Sequence, residues 1–138
     1  PGSIGENISS LKCVEQDVCI SDKFRMGSVI LQISQPRKPC WKIDEKYHSR
    51  GLATFIHSQG LCGWYYRVLE EGMIASNDRL ELIQREKNAP TLQEFLSVTS
   101  ASRPNPELLE QFTEVNGLSE EIIQQLTDRA NWLKLYGT

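Results

Sequence analysis

The chain has 138 residues, 39% of them hydrophobic and 24% charged, enough apolar material for a buried core in one domain or one domain plus a small appendage. A net charge of -3 and a pI near 5.4 exclude a global positive field of the kind that draws nucleic acid or an anionic membrane surface. No apolar run reaches the ~18 residues that span a bilayer, and no signal-peptide pattern opens the sequence.

The chain begins PGSIGENISS without an initiator methionine, so it is expected to be a processed form or a piece of something longer. DVCISDKFRMGSVILQIS then has the rhythm of two strands joined at Gly27-Ser28, with β-branched and apolar residues recurring on either side. Residues 35–40 read as a proline-locked loop. From about Ile43 to Gln59 the pattern is helical, with Leu52, Phe55 and Ile56 at i, i+3 and i+4 and Gly60 as the stop. GWYYRVLEEG reads as a strand ending at Gly72, and DRLELIQRE alternates Leu80 and Leu82 with Arg79 and Glu81 as a half-buried strand would.

The pattern changes at Pro90. Thr91 with Glu94 makes a capping box for a helix over 92–98. Asn105-Pro106 caps a second helix that carries Leu108, Leu109, Phe112 and Val115 and ends at Gly117. Ser119 starts a third, whose Ile122, Leu126, Ala130 and Leu133 form one apolar stripe. The expected organisation is a β-rich part over 1–88 followed by a three-helix unit over 89–138. No internal repeat is present.

Four cysteines, at 13, 19, 40 and 62, contain no C-x-x-C and are too sparse for a disulfide framework or a structural zinc site, so a reduced, cytoplasmic protein is expected. Cys40 stands out. Pro36 and Pro39 stiffen the turn before it, and Arg37 and Lys38 raise the local potential, which favours thiolate. Arg37 beside a rigid loop is also a natural clamp for a phosphate. A cysteine packed behind a turn with two solvated cations explains the same residues, and on residue chemistry alone both readings stay open.

The motifs GENI (5–8), DVCISDKF (17–24), SQPRKPCWK (34–42) and GWYYRVLEEG (63–72) resemble, in order, those of MOSC-domain proteins of the YiiM-like branch, associated with resistance to 6-hydroxylaminopurine. The last three helices resemble that branch's 3-alpha domain. The resemblance implies a MOSC-type β-barrel that binds molybdenum cofactor (molybdopterin), in a branch similar to the mitochondrial amidoxime-reducing enzymes. Carried over by position, Cys40 is the molybdenum ligand and catalytic residue, a soft thiolate on a soft metal. Arg37 faces the anionic cofactor or the substrate pocket, and Asn7 hydrogen-bonds the cofactor, with Glu6 orienting Asn7 or stabilising its turn. Arg67 is a further cofactor-binding candidate, set against a role in a rim salt bridge. Pyridoxal phosphate is not an expected cofactor.

The resemblance also implies strands before GEN that this chain lacks. A missing N-terminal half-barrel, or a second copy, is expected to pair the open edges, and the chain alone is expected to be a poor enzyme. Ser21 in CISD stands where the family commonly has glycine. Trp64, Tyr65 and Cys62 are expected in the core, Cys13 and Cys19 as structural, and Lys42 as solvated. His48 and His57 have no partner at catalytic spacing, and Arg129 and Lys134 make no basic stripe that would suit nucleic acid. The expected activity is reduction of N-hydroxylated compounds such as hydroxylaminopurine bases, with electrons from an external flavoprotein reductase. The alternative is a non-catalytic carrier of molybdenum cofactor or sulfur through Cys40.

Overall fold

The structure, a computed structural model, describes residues 2–11 and 13–137. Strands β1 (Lys23–Met26) and β2 (Val29–Pro36) form the expected hairpin, with Met26 opposite Val29 across Gly27-Ser28. Glycine is required at this turn. Gly27 has φ +56, and a Cβ there would lie 2.4 Å from the carbonyl of Met73. Strand β3 (Trp64–Glu70) pairs with β2 and β4 (Glu81–Gln84) with β1, giving an antiparallel sheet in the order β3-β2-β1-β4. Six consecutive residues of β2, Val29 to Ser34, are buried, as a strand covered on both faces requires.

Two sequence readings change here. Pro36 closes β2 opposite Trp64 rather than belonging to a loop, because its missing N–H costs nothing at the last position of a strand. Strand β4 exposes all four of its residues instead of burying Leu82, because it lies at the sheet edge.

The helical stretch over 43–59 divides into α1 (Lys42–Tyr47) and α2 (Leu52–Ser58). His48 ends α1 in the left-handed region at φ +49, and Gly51 repeats that conformation at φ +84. Asp44 holds the break, accepting the N–H groups of Gly51 at 2.8 Å and Ala53 at 2.7 Å. These bonds, Ala53 foremost, keep its carboxyl below the usual range.

Helices α3 (Leu92–Ser100), α4 (Pro106–Thr113) and α5 (Glu120–Tyr136) start where their caps indicate. Thr91 and Glu94 complete the reciprocal box, Asn105 accepts from Glu107 and Leu108, and Ser119 accepts from Ile122, each cap being worth about 1 kcal/mol. One hydrophobic core joins sheet and helices: Val18, Ile20, Phe24 and Ile33 pack with Leu92, Phe95, Leu109, Phe112, Leu126 and Ala130. Phe95 and Phe112 stack with centroids 5.2 Å apart. Asp22, fully buried just before β1, is met by Arg85 through both carboxylate oxygens, Nε to Oδ1 at 2.8 Å and Nη2 to Oδ2 at 2.6 Å. No helix among the described residues is long and apolar enough to cross a membrane.

Candidate functional site

The end of β2 and the start of β3 bring the site residues together. Beyond Pro36 the pairing continues for one bond, Arg37 N–H donating to Gly63 O at 2.9 Å, so the backbone of Arg37 is fixed as firmly as a strand residue. Gly63 in turn donates to Glu15 Oε1 at 2.8 Å. Over this junction lies the N-terminal loop, and the two enclose a groove of about 460 Å³ lined by Glu6, Asn7, Leu31, Arg37, Cys62 and Trp64 among others.

The loop is built around Glu6. Its carboxylate accepts from Ser3 N–H and Oγ, Ile4 N–H and Ser9 Oγ, at 2.9–3.4 Å. Backbone N–H groups, its own first, pull its pKa down to about 2. Glu6 therefore stabilises the turn that presents Asn7. From the other side Lys46 of α1 donates to the carbonyls of Gly2 at 2.9 Å and Ser3 at 2.7 Å, and Tyr47 OH also reaches Ser3 O. The helix that begins two residues after Cys40 thus anchors the loop that carries Asn7.

Of the residues expected at the site, the groove collects Arg37, Asn7 and Glu6. Cys40 is exposed at the far end of the same proline-braced turn and does not line the groove; its carbonyl accepts from Ile43 N–H at 3.0 Å at the start of α1. Arg67 is also elsewhere. Its Nη1 donates to Gly117 O at 3.2 Å, tying β3 to the α4–α5 turn, and the partner is a carbonyl rather than the carboxylate of a salt bridge. Tyr65 is half exposed instead of core, since it alternates with the inward Trp64 and Tyr66.

Cys62 belongs to the groove more than its sequence context indicated. It is 1% exposed, with Sγ 4.0 Å from Nδ1 of His57. Burial pushes the thiols of Cys62, Cys13 and Cys19 up. The signal in the sequence was the five-residue spacing from His57, which the α2 turn at Gly60 folds back onto itself. Trp64 carries the other feature no pattern could show: its Nε1–H is buried beside the Tyr66 hydroxyl, with no acceptor in good hydrogen-bond geometry among the described residues. Burial also raises the neighbouring Tyr66 hydroxyl to about 12. No three His, Cys, Asp or Glu side chains gather among the described residues. One cation and one amide in a partly apolar groove, with the Glu6 carboxylate occupied by its own loop, fit an anionic heterocycle rich in acceptors, which is the character of a pterin cofactor.

Comparison with known proteins gives the following. The family model described as the MOSC domain matches residues 1–81. The chain is 32% identical over 132 residues to the uncharacterized protein YflK of Bacillus subtilis, covering 96% of this chain and 57% of that one. It is 36% identical over 86 residues to a protein named reductase of Gibberella moniliformis, covering 61% of this chain and 15% of the fungal protein. The crystal structure of YiiM from Geobacillus stearothermophilus superposes with a TM-score of 0.90 at 32% identity, covering 94% of this chain and 66% of that one. The chain thus spans only part of the length of the proteins it matches.

Proposed function

Because the chain belongs to the MOSC domain family, we propose that it forms part of a molybdenum-cofactor-dependent reductase of N-hydroxylated compounds, hydroxylaminopurine-type bases among them. The observation that carries this reading is the convergence of Arg37 and Asn7 on one groove beside the cysteine loop. The likeness to a protein named reductase supports the redox class.

When bound, the cofactor would supply the two-electron redox chemistry that reductive cleavage of an N–O bond needs. Each residue of this chain has a part in holding it. Arg37, its backbone locked to Gly63, sets a positive charge against the cofactor's anionic groups. Asn7 offers both a donor and an acceptor to the ring system, and Glu6 keeps Asn7 in place. Cys40, exposed after the proline-braced turn, would offer its sulfur to the metal. Arg67 is assigned to docking the helices rather than to the groove. Reduction of a hydroxylamine consumes two electrons and two protons and releases water, and the electrons come from an external flavoprotein reductase. The unpaired edges of β3 and β4 are completed by further strands of the same protein or by a second copy.

Elemental analysis of a barrel-complete form from a cofactor-producing host tests the proposal. Molybdenum near one per chain is expected, lost in Cys40→Ser and kept in Lys42→Ala. A molybdenum-free wild type from that host would sink it. The exposure of Cys40 also suits a sulfur carrier, and a persulfide on Cys40 without molybdenum would favour that reading instead.

A further inference from the structure

Behind Arg37 and Tyr65 lies a second groove, of about 510 Å³, between the proline-braced loop and the helical unit. Its volume is that of a small-ligand site. Three cations line it, Arg37, Lys38 and Arg129, against one carboxylate, Glu121. Among the described residues none of the three cations is paired with a carboxylate. Glu121 already accepts from Gln125 Nε2 at 3.1 Å. Arg129 is held by the carbonyls of Thr99 and Ala101 where α3 ends, which fixes its charge in place without neutralising it. The backbone of Arg37, though not its guanidinium, is fixed by its bond to Gly63. In a chain of net charge -3, a recess with three cations against one carboxylate concentrates anions.

The groove has a second chemistry. Tyr65, with half its surface exposed, stands on the wall common to both grooves, and its ring is open to a flat partner. Inorganic phosphate would leave this ring unused, and a free base would leave the three cations unused. A ligand that carries both groups uses both walls.

We propose that this groove binds a nucleoside monophosphate, with the phosphate on Lys38 and Arg129 and the base against Tyr65. The proposal rests on the reductase reading only in making the nucleotide, not the free base, the form in which the substrate is taken. Binding itself needs no cofactor.

Calorimetric titration with adenosine 5′-monophosphate, adenosine and inorganic phosphate tests it. The monophosphate is expected to bind at least about tenfold tighter than either fragment, with affinity falling as salt rises. Lys38→Glu and Gln125→Glu, on separate elements, are each expected to weaken the monophosphate about tenfold and leave adenosine unchanged. A monophosphate that binds no tighter than phosphate, or is indifferent to both substitutions, overturns the proposal. If molybdenum-loaded protein reduced neither base nor nucleotide while these binding results held, the groove would stand and the reductase reading alone would fall.

Discussion

Gly117 rests directly on the side chain of Gln32: a Cβ at Gly117 would lie 2.7 Å from Nε2 and 2.8 Å from Cδ. Gln32 is buried in the middle of β2, and Gly117, at φ +90, makes the turn between α4 and α5. Arg67, opposite Gln32 on β3, donates to the carbonyl of the same glycine. One residue of the helical unit therefore sits on a cross-strand pair of the sheet. Gly117→Ala is expected to destabilise the fold by about 2 kcal/mol or more, from the left-handed backbone and the collision together. Thermal unfolding checks it, and Gln32→Ala in the same chain should recover the part due to the collision but not the part due to φ.

Asp22 is met in its buried site by the guanidinium of Arg85. Arg85→Met leaves a fully buried carboxylate with only Cys19 N–H as partner, at 2.8 Å. The expected loss is about 3 kcal/mol, the lower end for a broken buried pair because the Arg85 side chain is 40% exposed. Urea unfolding measures it; a loss under about 0.5 kcal/mol would show that water replaces the guanidinium.

Ser21 occupies the left-handed region at φ +76 and is 2% exposed. Its hydroxyl receives only a long bond, 3.5 Å from Gln32 Nε2. Ser21→Gly is expected to stabilise the protein by about 1 kcal/mol, because the backbone strain exceeds what that contact returns. A lowered melting temperature would show that the hydroxyl matters more than the strain.

Thiol reactivity should single out Cys40. It is the exposed cysteine among four, while Cys62, Cys13 and Cys19 are shielded and held protonated by burial. Alkylation near neutral pH, mapped by mass spectrometry, should label Cys40 first. Earlier labelling of Cys62 would mean that the groove opens and presents the thiol beside His57.

The loop that carries Asn7 should loosen in acid. Glu6 titrates near 2 in the folded chain against 4.5 when free, so its bonds are fully made above 4.5 and are lost as pH falls through about 2. NMR of the Glu6 carboxyl should show a midpoint near 2, and Glu6→Gln should broaden the Asn7 resonances at neutral pH. A midpoint near 4.5 would mean that the turn is not formed in solution.

Local chemistry made much of this protein legible in its sequence. The Thr91–Glu94 box, Asn105-Pro106 and Ser119 set three helix starts within a residue, because a cap is satisfied by atoms two or three positions away. The hairpin at Gly27 and the stiff cationic turn before Cys40 were legible for the same reason. Tertiary placement decided the rest. Leu82 is exposed because β4 fell at an edge, and Arg67 reaches Gly117 because the helical unit folds back over β3. The break at His48 needed Asp44 to accept from Gly51 and Ala53 across seven and nine residues. Arg37 and Asn7 share a groove because a backbone bond to Gly63 and a tether from Lys46 bring distant segments together. Periodicity reports which side of an element is apolar, but not what that side will meet, and the site is made of such meetings.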